Sequence, residues 1–240
     1  MFSKICSYTL LISCLIAFSS AHTQAQSKKT PTKPAPSKTV KPVVKTGPVR
    51  ICIYTDSGSM IIKLSDSTPL HRDNFVKLVK EGFYDSLLFH RVIPQFMMQG
   101  GDPTSKYAAP GARLGNGGDQ MVRIPAEFNP TLFHKRGALA AARDGNPEKA
   151  SSACQYYIVD GKTFTDEQLT MLERQNGVKY TEEQRTIYKT IGGTAQLDQK
   201  YTVFGEVEAG LEVISKITGV AKDGNNRPYG NVRMRMEIME

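Results

Sequence analysis

Phe89-His90-Arg91-Val92-Ile93-Pro94-Gln95-Phe96-Met97-Met98-Gln99-Gly100-Gly101-Asp102 is the stretch on which the reading of this chain turns. Two strand-like apolar runs flank a proline, and a glycine pair follows a glutamine. Side chains of an extended segment alternate between faces. If residues 96–99 are extended, Met97 and Gln99 share one face while Phe96 and Met98 share the other. Phe96 and Met97 then line a single pocket only where the strand twists or bulges. Arg91 stands among apolar residues, and burying a guanidinium without an acceptor is costly. Taken alone, it reads as a core-strand arginine that snorkels to solvent. Any other role needs support from the rest of the chain.

Upstream, Val49 to Tyr54 and Met60 to Leu64 are apolar-rich runs joined by Thr55-Asp56-Ser57-Gly58-Ser59, a hairpin signal with glycine in the turn. Ser67-Thr68-Pro69 predicts a helix start, with a hydroxyl cap and a proline in the first turn. Phe75, Leu78 and Val79 recur at helical spacing, and Gly82 ends that helix. Downstream, residues 103–118 read as a loop. Its Gly115-Asn116-Gly117-Gly118 lacks the phosphate-loop pattern. Short strands are expected at Gly137 to Ala142, Gln155 to Val159 and Tyr201 to Val207. Thr165-Asp166-Glu167-Gln168 and Thr181-Glu182-Glu183-Gln184 match helix capping boxes. Residues 161–194 therefore form a helical hairpin inserted between strands. Leu169, Met171 and Leu172 supply the apolar side of its first helix; Tyr180, Ile187, Tyr188 and Ile191 pack around the second. Leu211, Val213, Ile214 and Ile217 mark another helix. Val232 to Ile238 alternates with period two, as a half-buried strand does. A mainly β domain with helices over its ends fits this count; pattern alone does not choose barrel from sandwich.

The formal charge of +8 suggests nucleic acid, but its distribution excludes that class. Residues 1–48 hold seven lysines and no acid, which leaves 24 basic against 23 acidic residues elsewhere. Residues 1–25 read as a signal peptide: Lys4 precedes an apolar run, Tyr8 to Phe18, too short to span a bilayer. Leu11-Ile12-Ser13-Cys14 resembles a lipobox, but the apolar run continues past Cys14, which favours soluble, periplasmic export over a lipid anchor. Residues 26–48 are a Lys/Pro-rich disordered linker, and residues 49–240 are the folded domain. Cys52 and Cys154, outside the signal, are expected as buried free thiols.

The central stretch is similar to the cyclophilin signature. Further segments agree in order: Glu127-Phe128, Gly137 to Arg143, Ser151 to Ile158, Leu197-Asp198 and Val203 to Val207. The resemblance implies a closed eight-stranded antiparallel β-barrel capped by two α-helices, interrupted here by the insertion. It implies peptidyl-prolyl cis/trans isomerase activity on X–Pro-containing, unfolded or partly folded polypeptides, by a monomer without metal or cofactor. Arg91 matches the catalytic arginine, and Phe96, Met97, Tyr157 and Leu197 match the proline pocket. Gln99 and Gln155 match its polar border. Ala142 and Arg143 match the pair whose backbone holds the residue before proline, and Gly115 and Gly117 match a loop beside a second, shallower pocket. The chain departs from many members at Gln196, where an aromatic is common, at Tyr201, where a histidine is common, and at Arg143, where an asparagine is common. Tyr201 keeps the rim aromatic. The insertion enters just before Gln196 and so lies beside the pocket; it restricts or extends the groove, or is a surface elaboration.

The chemistry agrees with these roles. An X–Pro bond isomerises over a resonance barrier of about 18–20 kcal/mol, and no bond is made or broken. A cation that donates to the prolyl nitrogen opposes that resonance, and arginine keeps its charge at any working pH. With no proton to move, His90 is expected as a buried, hydrogen-bonded structural residue. His71 and His134, with no ligand-spaced partner, are expected at the surface. A binding module of another class, a proline-directed chaperone or scaffold with incidental turnover, would use the same pocket.

Overall fold

The structure, a computed structural model, describes residues 47–239. The signal peptide, the Cys14 lipobox and the linker up to residue 46 lie outside the described residues. Eight strands form one sheet: β1 Arg50–Thr55, β2 Gly58–Leu64, β3 Arg91–Ile93, β4 Met97–Gly100, β5 Ala138–Ala141, β6 Tyr156–Val159, β7 Val203–Ala209 and β8 Arg235–Ile238. Their order is β3-β4-β6-β5-β7-β2-β1-β8, and every pair is antiparallel. The first hairpin is as expected, although the turn is tighter than its glycine suggests. Thr55 already pairs with Gly58, leaving Asp56 and Ser57 as the loop.

The expectation of a closed barrel is corrected. The edge strands β3 and β8 form no ladder with each other, so the sheet is a strongly curled half-barrel. The physical reason lies at the two edges. β3 has three residues and β8 four, and the backbone just before each strand makes the remaining contact. Leu88 and Arg233 form an isolated antiparallel bridge, with Ser86 N–H donating to Met234 O and Phe89 N–H to Val232 O, both at 2.9 Å.

Period-two alternation sorts the side chains into two layers. Inside the curl lie Val92, Met98, Leu139, Ala141, Tyr156, Ile158 and Phe204 with the strand residues of β1 and β2. Helix α1 (Pro69–Lys80) adds Phe75, Leu78 and Val79 to that core, and α4 (Leu211–Thr218) adds Val213, Ile214 and Ile217. On the opposite face Met97, Ala138, Ala140, Ala142, Tyr157, Val159 and Val203 form a second apolar layer. The candidate site is built there. The predicted alternation from Val232 onward is present, with Val232, Met234 and Met236 buried and Arg235 and Glu237 exposed.

Helix α1 begins at Pro69 and ends before Gly82 (φ +65°) as predicted, but its cap is different. The Thr68 side chain makes no capping bond. Instead the carboxylate of Glu127, from a distant loop, accepts from Leu70 N–H (3.0 Å) and His71 N–H (2.9 Å). That loop is pinned by its own bond from Glu127 N–H to Thr202 Oγ1, so tertiary structure supplies a better acceptor than the local hydroxyl. His71 is buried rather than exposed: its Nδ1 lies 2.6 Å from Glu127 Oε2 and its Nε2 2.9 Å from Ser151 Oγ. A carboxylate, an imidazole and a serine hydroxyl thus stand in line, yet Ser151 is 1% exposed and no substrate reaches it.

The insertion folds as its capping boxes predict. In α2 (Asp166–Asn176) and α3 (Glu182–Thr190), Thr165 and Thr181 each cap and are capped by Gln168 and Gln184. Phe164, Leu169, Leu172, Tyr180, Tyr188 and Ala195 form a third apolar cluster with Phe133 and Val178 packed against it. Met171 and Ile191, expected in that cluster, are about half exposed; both lie on the side turned away from it. Gly193 pairs with both Lys135 and Lys162. A Cβ there would lie 2.1 Å from His134 O, so only glycine permits this docking.

Candidate active site

Arg91, Met97, Gln99, Tyr157 and Ala142 reach the outer face by strand alternation, and Phe96 joins them for a different reason. Pro94 to Phe96 form the β3–β4 turn, with Phe96 N–H donating to Ile93 O and Gln95 in the left-handed region (φ +59°). Phe96 therefore escapes the alternation that would have turned it inward, and packs on the same cluster as Met97. The Gln95 N–H donates to Asp160 Oδ2 at 2.9 Å, which holds the turn in place. Leu197 comes from a 3-10 turn, Ala195–Leu197, and Tyr201 from the loop before β7. Tyr157 and Tyr201 meet edge to face at 5.8 Å. Every residue expected in the proline pocket lies in this one apolar cluster.

Arg91 projects over that floor, its guanidinium carbon 5.9 Å from the centre of the Phe96 ring. Its polar partner is neutral: Nη1 donates to Gln99 Oε1 at 3.3 Å. Gln99 Nε2 donates in turn to Gln155 Oε1 (3.1 Å), and Gln155 Nε2 to the carbonyls of Gly115 and Gly117 (both 2.9 Å). The two glutamines thus form a rail from the arginine to the glycine loop. Burial lowers the pKa of Arg91 from the usual arginine value, and the Tyr201 phenol partly offsets this. The guanidinium remains charged, since that value starts so high. Desolvated and turned toward a neutral partner, it keeps donors for a ligand.

Asp102 builds the loop on the far side. Its buried carboxylate accepts from Thr104 N–H, the Thr104 hydroxyl, Gly115 N–H and Gly117 N–H. Burial alone would raise its pKa, but these donors outweigh burial and the carboxyl titrates below its usual range. The segment expected as plain loop therefore starts with a 3-10 turn, Pro103–Ser105. A cavity of about 270 Å³ beside it is lined by Gln99, Gly115, Asn116, Ala142, Arg143 and Gln155 among others.

The backbone of the Ala142–Arg143 pair is unequally occupied. Ala142 N–H donates to Gln155 O (2.9 Å) and Ala142 O accepts from Ser152 N–H (2.8 Å). The Arg143 side chain turns away, donating from Nε to Lys200 O (2.8 Å) and stacking over the Tyr201 ring at 4.7 Å. Arg143 thereby braces the aromatic rim that replaces the more common histidine.

His90 is buried as expected, but the expected hydrogen bonds are not found: neither ring nitrogen has a protein partner. Burial lowers its pKa to about 4, so at neutral pH it is an uncharged wall of the arginine's cleft. Cys52 and Cys154 are free and buried, and burial pushes the Cys154 thiol up to about 11.

Sequence reasoning missed the groups beneath the floor. His134, expected at the surface, is 1% exposed; its Nδ1 lies 2.7 Å from Asp198 Oδ1 and its Nε2 2.9 Å from Tyr157 Oη. Asp198 Oδ2 also accepts from the hydroxyls of Tyr188 (2.6 Å) and Tyr180 (3.0 Å). No local pattern joins partners 64 residues apart in the chain. The one available signal was the Asp198 that follows pocket residue Leu197.

Comparisons with known proteins agree with this geometry. Residues 50–237 match the family model described as cyclophilin type peptidyl-prolyl cis-trans isomerase/CLD. A Streptococcus pyogenes protein whose name pairs a phosphatase with a peptidyl-prolyl cis-trans isomerase is 40% identical over 117 residues, 48% of this chain and 22% of that protein. A Staphylococcus aureus protein named as a peptidyl-prolyl cis-trans isomerase is 35% identical over 132 residues, 54% of this chain and 61% of that one. The match thus spans less than two thirds of either curated relative. A Cryptosporidium parvum cyclophilin-type structure superposes with a TM-score of 0.60 at 23% identity, covering 81% of this chain and 99% of its own, a likeness of fold. A family model matched from the first strand to the last places this chain in the cyclophilin-type peptidyl-prolyl cis-trans isomerase family.

Proposed function

We propose that this protein is a peptidyl-prolyl cis/trans isomerase that acts on X–Pro bonds of exported, unfolded or partly folded polypeptides. The observation that carries the reading is Arg91, half-buried, directed over an apolar floor and held by a neutral amide rather than a carboxylate. The pyrrolidine ring seats against Phe96, Met97, Tyr157 and Leu197, and the arginine donates to the prolyl nitrogen as the amide twists and that nitrogen becomes basic. Gln99 sets the guanidinium's direction, and the Arg143 backbone holds the residue before proline. The residue preceding that one meets the cavity between Gln99 and Asp144. An acceleration of about 10⁵ requires roughly 7 kcal/mol, within the range of one charge-assisted bond combined with positioning. A structural neighbour solved in the presence of the dipeptide Ala-Pro supports the substrate class.

Residues 1–25 support export to the periplasm, and the Lys/Pro-rich residues 26–48 serve as a tether. Exchange spectroscopy on an Ala-Pro peptide tests the reading: the wild-type chain accelerates cis/trans interconversion and Arg91→Ala does so far more weakly. A wild type that suppresses aggregation of an unfolded client without accelerating exchange would establish the chaperone reading instead. Mass spectrometry of the mature N-terminus tests the compartment: cleavage after Ala25 supports soluble export, and a lipidated Cys14 overturns it.

A further inference from the structure

We propose that the helical insertion is a positioning device for the proline pocket, acting through a buried polar chain from Tyr188 and Tyr180 to Asp198, His134 and Tyr157. The inference rests on the isomerase reading of the pocket and assigns the insertion a part in that site.

The chain is continuous. Tyr188 Oη donates to Asp198 Oδ2 at 2.6 Å, His134 Nδ1–H donates to Asp198 Oδ1 at 2.7 Å, and His134 Nε2 lies 2.9 Å from Tyr157 Oη. A carboxylate can only accept, so Nδ1 carries a proton, and Nε2 pairs with the Tyr157 hydroxyl. The His134 and Tyr157 rings also stack at 6.0 Å with 14° between planes. Asp198 receives four donors in all, because His134 N–H (2.9 Å) and the Tyr180 hydroxyl (3.0 Å) complete its two oxygens. Two of the four come from the insertion.

A second line of contact reaches the pocket wall. The carbonyl of Ala195, which opens the turn bearing Leu197, accepts from Asn176 Nδ2 at 3.2 Å and shares with Asp198 Oδ2 the single proton of the Tyr180 hydroxyl, 3.0 Å from each. The end of α2, the residue before the α3 cap and the last turn of α3 therefore converge on Ala195 and Asp198, the two residues that bracket Leu197 in the segment 195–198. The sequence lacks an aromatic at Gln196 to anchor this turn against the pocket, and the insertion's two hydroxyls anchor it from behind.

The chemistry of the floor requires such a device. A buried phenol needs a partner for its hydroxyl, and Tyr157 is 4% exposed with its ring in the apolar layer. Its hydroxyl is satisfied only by an imidazole held by a carboxylate, and that carboxylate is buried at 3% exposure. Without Tyr180 and Tyr188, one oxygen of a buried charge would stand unmet. A helical pair that only stabilised the surface would meet the body through its apolar cluster, whereas these polar ends land on the residues supporting Tyr157 and Leu197. Tyr180, Tyr188, Asp198 and His134 are positioning residues, since none lines the apolar pocket itself.

The full chain labelled with [13Cζ]tyrosine tests the proposal. The Tyr157 resonance is assigned with Tyr157→Phe, and exchange kinetics on an Ala-Pro peptide are measured alongside. In Tyr180→Phe/Tyr188→Phe the Tyr157 signal shifts and KM rises roughly three- to tenfold with kcat within about twofold, an effect of the size usual for coupled neighbours. The same pair of substitutions has a clearly smaller effect on KM in the Tyr157→Phe background. Thr165→Ala, which loosens the α2 cap without touching the chain, controls for a lowered Tm and leaves both readouts in place. An unmoved Tyr157 signal, an unchanged KM, or fully additive effects overturn the proposal and leave a stabilising elaboration. A wild type without turnover overturns the isomerase reading instead, and the Tyr157 signal still decides whether the chain is coupled.

Discussion

At the scale of one residue, the proposed chemistry rests on Arg91. On the proposed mechanism, Arg91→Ala removes the guanidinium that donates to the prolyl nitrogen while leaving the apolar floor intact. A fall of about 10²–10³ in kcat/KM is expected from loss of one such donor, with thermal unfolding nearly unchanged; exchange spectroscopy and a melting curve measure the two. Arg91→Lys does not restore activity, because a point charge on a flexible stem loses the fork that Gln99 orients. His90 gives a pH prediction. Its folded pKa of about 4 lies below the usual histidine value, so the unfolded chain binds its proton first as pH falls. Stability is therefore full at neutral pH and is lost from about 6.5 down to about 4, by roughly 3 kcal/mol for this residue. His71, also lowered, chiefly by burial, acts in the same direction. Urea unfolding at pH 7 and 4.5 should show the wild type losing about 2 kcal/mol more than His90→Asn; equal losses would refute the assignment. The family resemblance singled out Arg91, Met97, Gln99 and Tyr157, and the structure gathers them on one face of the sheet. Phe96 was ambiguous, because the left-handed Gln95 that redirects it has no signature at a non-glycine position. His71 and His134 were misjudged, because their acceptors lie 56 and 64 residues away.

Local code works for the elements wherever both partners of an interaction are near in the chain. Both capping boxes of the insertion are read correctly because donor and acceptor lie three residues apart. Helix α1 fails the same reasoning at its cap, since a partly buried glutamate from another loop outcompetes the threonine hydroxyl. Glu127→Ala leaves Leu70 N–H, His71 N–H and the His71 ring without their acceptor. It should cost about 1–3 kcal/mol in urea unfolding, against about 1 kcal/mol for Thr181→Ala at the exposed start of α3. Comparable small losses at both sites would show that solvent replaces the Glu127 carboxylate. Tyr180→Phe/Tyr188→Phe belongs to this scale too, because it separates an insertion that tunes the pocket from one that only packs against it.

For the whole molecule, the open question of barrel or sandwich resolves into one curled sheet whose ends nearly meet. Three backbone bonds cross the seam between residues 86–89 and 232–234, outside any strand ladder. Hydrogen exchange should find the amides of Ser86, Phe89 and Met234 protected, yet exchanging by local opening before those of β1 and β2. Protection equal to β1 would mean that the seam is as strong as a ladder. By itself, the sequence determined which residues alternate between the two faces and where the helices begin and end. Those properties follow from periodicity and from contacts within a few residues. Tertiary structure alone decided that the sheet stops short of closure, that Glu127 caps α1, and that two tyrosines of an insertion reach Asp198, whose other oxygen holds the histidine beneath Tyr157. A buried polar group must find its partner wherever the fold brings one, and no spacing along the chain records that meeting.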